Sequence, residues 1–154
     1  MARDYFLRII DQIAIMTAEI ARLETSGDDS GARAEINERC RQTVGLDIGQ
    51  IQQMSPEALG QLLPAAAGLR QTRAVMIAEL LLKDSEMHAT ELGRVSLDRL
   101  HAFCLLASVV DSLDTDDQRI YRQKLEALRD DLTGFSDNSY VASKLAEFAV
   151  AKKA

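Results

Sequence analysis

The stretch Ala74-Val-Met-Ile-Ala-Glu-Leu-Leu-Leu82 is apolar at every position except Glu79. A second stretch, Leu97 to Val110, places Leu97, Leu100, Phe103, Cys104, Leu105, Leu106, Val109 and Val110 around most of a helical circumference. A helix with no clear polar face lies inside a fold. These two segments are therefore expected at the centre of the domain. Strand-favouring runs of Val, Ile, Thr and Tyr are missing, and two prolines in 154 residues leave long stretches free of helix breakers. The expected class is all-α, with antiparallel helix hairpins forming about six main helices plus short ones.

Working outward, Arg3 to about Glu24 reads as an amphipathic first helix. Phe6, Ile9, Ile10, Ile13, Met16, Ile20 and Leu23 recur at steps of three and four. Leu7 and Ile15 fall off that stripe. The turn at Thr25-Ser-Gly-Asp-Asp-Ser-Gly31 leads into a second helix from Gly31 to Val44, with Ala32, Ile36 and Cys40 inward and Gly45 as its stop. Short pieces follow. Asp47 caps a turn with Ile48 and Ile51, and Ser55-Pro56-Glu57 is a strong helix start.

A long helix is then expected over about Ala65 to Leu92, stopped by Gly93. Ser96 is read as the cap of the next, which runs to about Leu113. Thr115-Asp-Asp-Gln118 fits a capping box, opening a helix to about Leu132 with Tyr121, Leu125 and Leu128 inward. After Gly134, Ser136 or Asp137 starts a last helix, with Val141, Leu145 and Phe148 as its stripe. No linker divides the chain, so residues 1–154 are read as one domain.

The net charge of −6 argues against nucleic acid as a partner. The apolar runs are too short for the ~20 residues of a membrane span. Arg3, Asp4, Arg8 and Asp11 interrupt any secretory signal. With Cys40 and Cys104 outside any Cys-x-x-Cys spacing, the expectation is a soluble, cytoplasmic protein with free thiols.

Asp84, His88 and Glu91 share one face of the predicted long helix, a spacing that helical metal sites use. No second Glu-x-x-His and no His-Glu-x-x-His accompanies them, so they read as a solvated charged face without a metal. His101 reads as a structural histidine. Cys40 and Cys104 read as small buried hydrophobes rather than nucleophiles. A calcium loop from Asp114 would need Gly and Glu where Arg119 and Leu125 stand. Asp130-Asp131 lies at a helix end. Arg70, Arg73, Arg94 and Arg99 read as surface arginines balancing 24 acids. No catalytic grouping and no cofactor motif emerges.

The opening Asp4-Tyr-Phe-Leu-Arg-Ile-Ile-Asp-Gln12, with Gly27, Ala32 and Val44-Gly-Leu-Asp47, resembles a family of uncharacterised bacterial helical proteins, a domain of unknown function of the DUF6483 type. The resemblance spans about Arg3 to Leu132. It implies a tetratricopeptide-like fold and no established activity. Gly27 and Ala32 suit that repeat, whereas Asp98 stands where the second repeat's Ala would pack, and the 34-residue period is not sustained. At best this is a degenerate repeat pair.

The leading expectation is a non-catalytic scaffold that presents helix hairpins to a protein or peptide partner. A homodimer through Ile15 and Leu7 is a related form of it. The alternative is a small helical enzyme or ligand-binding protein with its site between helices, using groups such as Asp84, His88 and Glu91.

Overall fold

A computed structural model describes residues 9–66, 68–131 and 142–147. Among them the chain is helical with no strand. Five long helices are α1 (Ile9–Thr25), α2 (Asp29–Val44), α5 (Leu69–Met87), α6 (Leu92–Val109) and α7 (Thr115–Asp131). Two short ones, α3 (Ile48–Gln53) and α4 (Pro56–Gln61), fill the stretch between α2 and α5. A 3₁₀ turn, Val110–Ser112, follows α6, and residues 142–147 are helical. The expected last-helix residues Val141 and Phe148 lie outside the described residues, as do Phe6 and Leu7. Among the described residues no helix is long and apolar enough to cross a membrane.

The hairpin of α5 and α6 is the centre of the packing. Val75, Ile77, Ala78, Leu80 and Leu81 of α5 are buried, and so are Phe103, Cys104, Leu105 and Leu106 of α6. Hydrophobic burial drives this arrangement, since each such side chain gains roughly 1.5–3 kcal/mol on leaving water. The α1–α2 hairpin lies on α5, while α4 and α7 pack on α6. Ile13, Met16 and Ile20 supply the inner face of α1, and Ile15 points outward at 60% exposure. Leu97 is also exposed, on the face of α6 opposite the buried Val95 and Asp98.

Caps explain most helix limits. Asp28 accepts from the Gly31 N–H, so α2 begins two residues earlier than read. Gly45 ends α2 at φ 79°, a left-handed conformation that glycine adopts without the steric cost other residues meet. Asp47 and Gln50 form a reciprocal capping box on α3, and Ser55 caps α4 ahead of Pro56.

Four further boundaries differ from the sequence expectation. The long helix starts at Leu69 and not at Ala65, because Gly68 sits at φ 84° and its N–H is taken by the Gln71 side chain. It ends at Met87, so Glu91 is not on it. The next helix begins at Leu92, which puts Gly93 and Ser96 inside α6 instead of at its approach. Finally, Asp114 rather than Thr115 caps α7, accepting from the Asp117 N–H at 3.0 Å. The Gln118 amide instead donates to the carbonyls of Asp111 and Leu113.

Two glycines should answer oppositely to alanine. Gly93 is helical, and a Cβ there meets nothing within 4 Å. Gly93→Ala is expected to stabilise the protein by about 0.5–1 kcal/mol. Gly45→Ala must place a side chain at positive φ and should destabilise by about 1–2 kcal/mol. Urea denaturation of both variants checks this; a stabilising Gly45→Ala would refute the left-handed cap.

Candidate functional site

Short turns bring the polar side chains together. The four residues from His88 to Glu91 connect α5 to α6, so Asp84, one turn before the end of α5, faces the first turn of α6. Arg94 reaches back across the turn. Its Nε and Nη2 each donate to an Asp84 carboxylate oxygen at 2.7 Å. This bidentate geometry is among the strongest hydrogen-bonded ion pairs. Asp84 is 2% exposed, while Arg94 opens to solvent on one side.

One helical turn beyond Arg94, Asp98 is fully buried. The Gln52 amide, arriving from the end of α3, donates to Asp84 Oδ2 at 3.0 Å and to Asp98 Oδ1 at 2.7 Å. Thus one amide joins two carboxyls on two different helices. The two carboxyls interact directly, and one proton between them relieves the repulsion of two buried like charges; Asp98 Oδ2 is buried with no other hydrogen-bond partner.

The environment decides where that proton sits. Burial, the Asp84 hydrogen bond and the Asp84 charge push Asp98 up to about 8, against the opposing effects of Gln52 and Arg94. Burial would also raise Asp84. The hydrogen bonds from Arg94 and Asp98, with the charges of Arg94 and His88, outweigh it and hold Asp84 below the usual carboxylate range. At neutral pH the pair is therefore one carboxylate, Asp84, and one carboxylic acid, Asp98. Like charges in a dry site separate in this way.

Of the three residues read from the sequence, two stay together. His88 Nδ1 lies 3.3 Å from Asp84 Oδ1 and 3.0 Å from the Asp84 carbonyl oxygen. Glu91 sits at the N-cap position of the next helix without a side-chain capping bond, and its carboxylate is 3.9 Å from His88 Nε2. The expected solvated face is thus corrected for Asp84, which is buried and claimed by Arg94. Arg94 is corrected too, from a balancing surface charge to a clasp between helices. Among the described residues no group of three His, Cys, Asp or Glu stands ready for a metal ion.

His101, 1% exposed, continues the tie to α3. Its Nε2 lies 2.6 Å from the Met54 carbonyl oxygen and its Nδ1 lies 2.7 Å from that of Leu97. Cys40 and Cys104 are buried and free. Burial first of all, joined for Cys40 by the nearby Asp84 charge, pushes both thiols up to about 12. A thiol so held is neither a nucleophile nor a ligand at neutral pH.

A separate groove of about 510 Å³ runs between α1, α5, α6 and α7. Thr17, Leu82, Lys83, Arg99, Lys124 and Leu128 are among its walls. Glu79, the lone charge in the apolar stretch of α5, lies in it and pairs with Lys124. The Lys124 ammonium also stands 5.3 Å from the centre of the Tyr121 ring.

Asp98, Gln52 and Arg94 escaped the sequence reading as a group. They lie 10 to 46 residues from their partners, far outside helical spacing. One signal was present: Asp98 stands beside Leu97 and Leu100 in a stretch otherwise read as buried. A carboxyl at a packing position needs a buried partner.

No family model matches the chain, and no curated protein or solved structure shows detectable similarity to it.

The two acids predict a pH profile of stability. Asp98 holds its proton to about pH 8 when folded, but releases it near pH 4 when unfolded. Its contribution is complete below pH 4 and is lost as the pH rises through 8. Asp84 works in the opposite sense: its contribution is present above the usual carboxylate range and lost as the pH falls through its lower folded value. Asp98→Asn keeps the shape and the hydrogen bonds. It should reduce the loss of stability between pH 5 and 8.5 by at least about 1 kcal/mol. Asp84→Asn, which strands Arg94, should cost about 3 kcal/mol at pH 7. Denaturant titrations at several pH values test both, and parallel curves for wild type and Asp98→Asn would reject the shared proton.

Proposed function

We propose that the protein is a non-catalytic interaction module, a degenerate tetratricopeptide-like set of helix hairpins that presents a surface to a protein or peptide partner in the cytoplasm. The observation that carries this reading is the outer face of α1. Ile15 stands 60% exposed there, between exposed Ala14 and Ala18. An exposed large aliphatic side chain with small neighbours leaves room for a partner to approach closely. The buried acid pair supports the same reading. Its carboxyls join α3, α5 and α6 through Gln52 and Arg94, and a buried polar network of this kind rigidifies the helices that present the surface. Free, buried Cys40 and Cys104 suit a reducing compartment. The family likeness drawn from Asp4 to Gln12 belongs to this proposal.

A second reading, a small-ligand protein, rests on the groove of about 510 Å³ between α5 and α7, a volume within the range of ligand sites. A thermal-shift screen of small zwitterions and carboxylic acids on wild type and on Ala127→Trp, which would fill the groove, tests it. A compound that stabilises only the wild type supports it.

The leading reading predicts that tagged wild type captures a partner that the Ile15→Glu variant, with unchanged helix content, loses by more than about tenfold. Equal capture by both chains would remove α1 from the interaction.

A further inference from the structure

Asp11, Ile15, Ala18 and Arg22 follow one another on α1 at steps of four, three and four, and all are exposed. That is the spacing with which one helix lies along another. The order of chemistry along the stripe is acid, large aliphatic, small, base. Reversed end over end, it becomes its own complement. In an antiparallel pair of identical helices, Asp11 then faces Arg22 while Ile15 faces Ala18.

We propose that α1 pairs antiparallel with α1 of a second copy of this chain, about a twofold axis passing between residues 16 and 17. This rests on the interaction reading above and names its partner. The contact is isologous, so each pairing occurs twice. Each Ile15 fits over the small Ala18 of the other helix, giving two apolar layers at the centre. An Asp11–Arg22 pair closes each end.

The charges at those ends are available for it. Asp11 is exposed and has no ion-pair partner among the described residues. Arg22 donates through Nε and Nη2 to Glu19 of its own chain, at 3.2 and 2.8 Å. A guanidinium has five N–H donors, so its other terminal nitrogen remains for a second carboxylate. Pairing in the parallel sense would set Asp11 beside Asp11 and Arg22 beside Arg22, which is repulsive. The charges therefore choose the antiparallel sense and the register.

One helix face is a small interface, so a weak, concentration-dependent dimer is expected. Sedimentation equilibrium of the full chain over a wide concentration range reads it directly. The wild type should show a dimer that dissociates on dilution, and Ile15→Glu should be monomeric at the same helix content. Asp11→Arg and Arg22→Asp should each weaken the dimer about tenfold or more, and the doubly exchanged chain should regain it. A wild type that is monomeric throughout overturns the dimer and leaves the partner capture described above as the test of the broader reading. A dimer indifferent to Ile15→Glu places the contact elsewhere and overturns the proposal. A dimer lost with Ile15→Glu but unmoved by the charge exchanges overturns the register. An Ile15→Glu chain that is less stable, beside a monomeric wild type, would assign the face to the chain's own ends and reject the second copy.

Discussion

The clasp between Asp84 and Arg94 is the constraint around which the central hairpin is organised. A bidentate ion pair tolerates little movement, so the last turn of α5 and the first turn of α6 are held at one distance and one rotation. Ridge-into-groove packing of two largely apolar helices leaves registers one turn apart open to them. The ion pair removes that freedom.

Burying a carboxylate beside a second carboxyl would be prohibitive if both were charged. The structure avoids this by protonating Asp98 and by inserting the Gln52 amide between the two. The consequence reaches beyond the central hairpin. Gln52 belongs to the short helix α3, whose Ile48 and Ile51 are buried in the core, and His101 holds the end of the same helix through the Met54 carbonyl. The irregular stretch from α2 to α5 is thus held by these polar bonds in addition to its buried Ile48, Ile51, Leu59 and Leu63. Midway along α5, Glu79 pairs with Lys124 of α7.

The helical class and the two central segments were legible because hydrophobic periodicity is a local signal. The same was true of caps made by the residue nearest the helix, such as Asp47 and Ser55. Boundaries failed where a tertiary bond or a backbone conformation decided them. Gly93 looked like a stop, but the reach of Arg94 to Asp84 draws it into α6. Ala65 looked like a helix start, but Gly68 adopts a positive φ just before Leu69. Thr115 looked like a cap, but Asp114 with its stronger acceptor takes the position. Within the site, the Asp84–His88 neighbourhood was readable from helical spacing. Asp98 and Gln52 were not, since they meet only once three helices have packed. The exposed Ile15 was readable as a break in an otherwise regular stripe.

The two shut thiols give this protein a built-in pair of clocks. Cys40 lies on α2 beside the acid pair, and Cys104 lies on α6. Neither sulfur reacts with an aqueous disulfide reagent while its surroundings are closed, so the rate of modification at each reports how often that part of the fold opens. The first thiol times the loosening of α2 from α5, and the second times the exposure of the interior around α6. Comparing the two rates would resolve whether the molecule breathes in sections or opens as a whole.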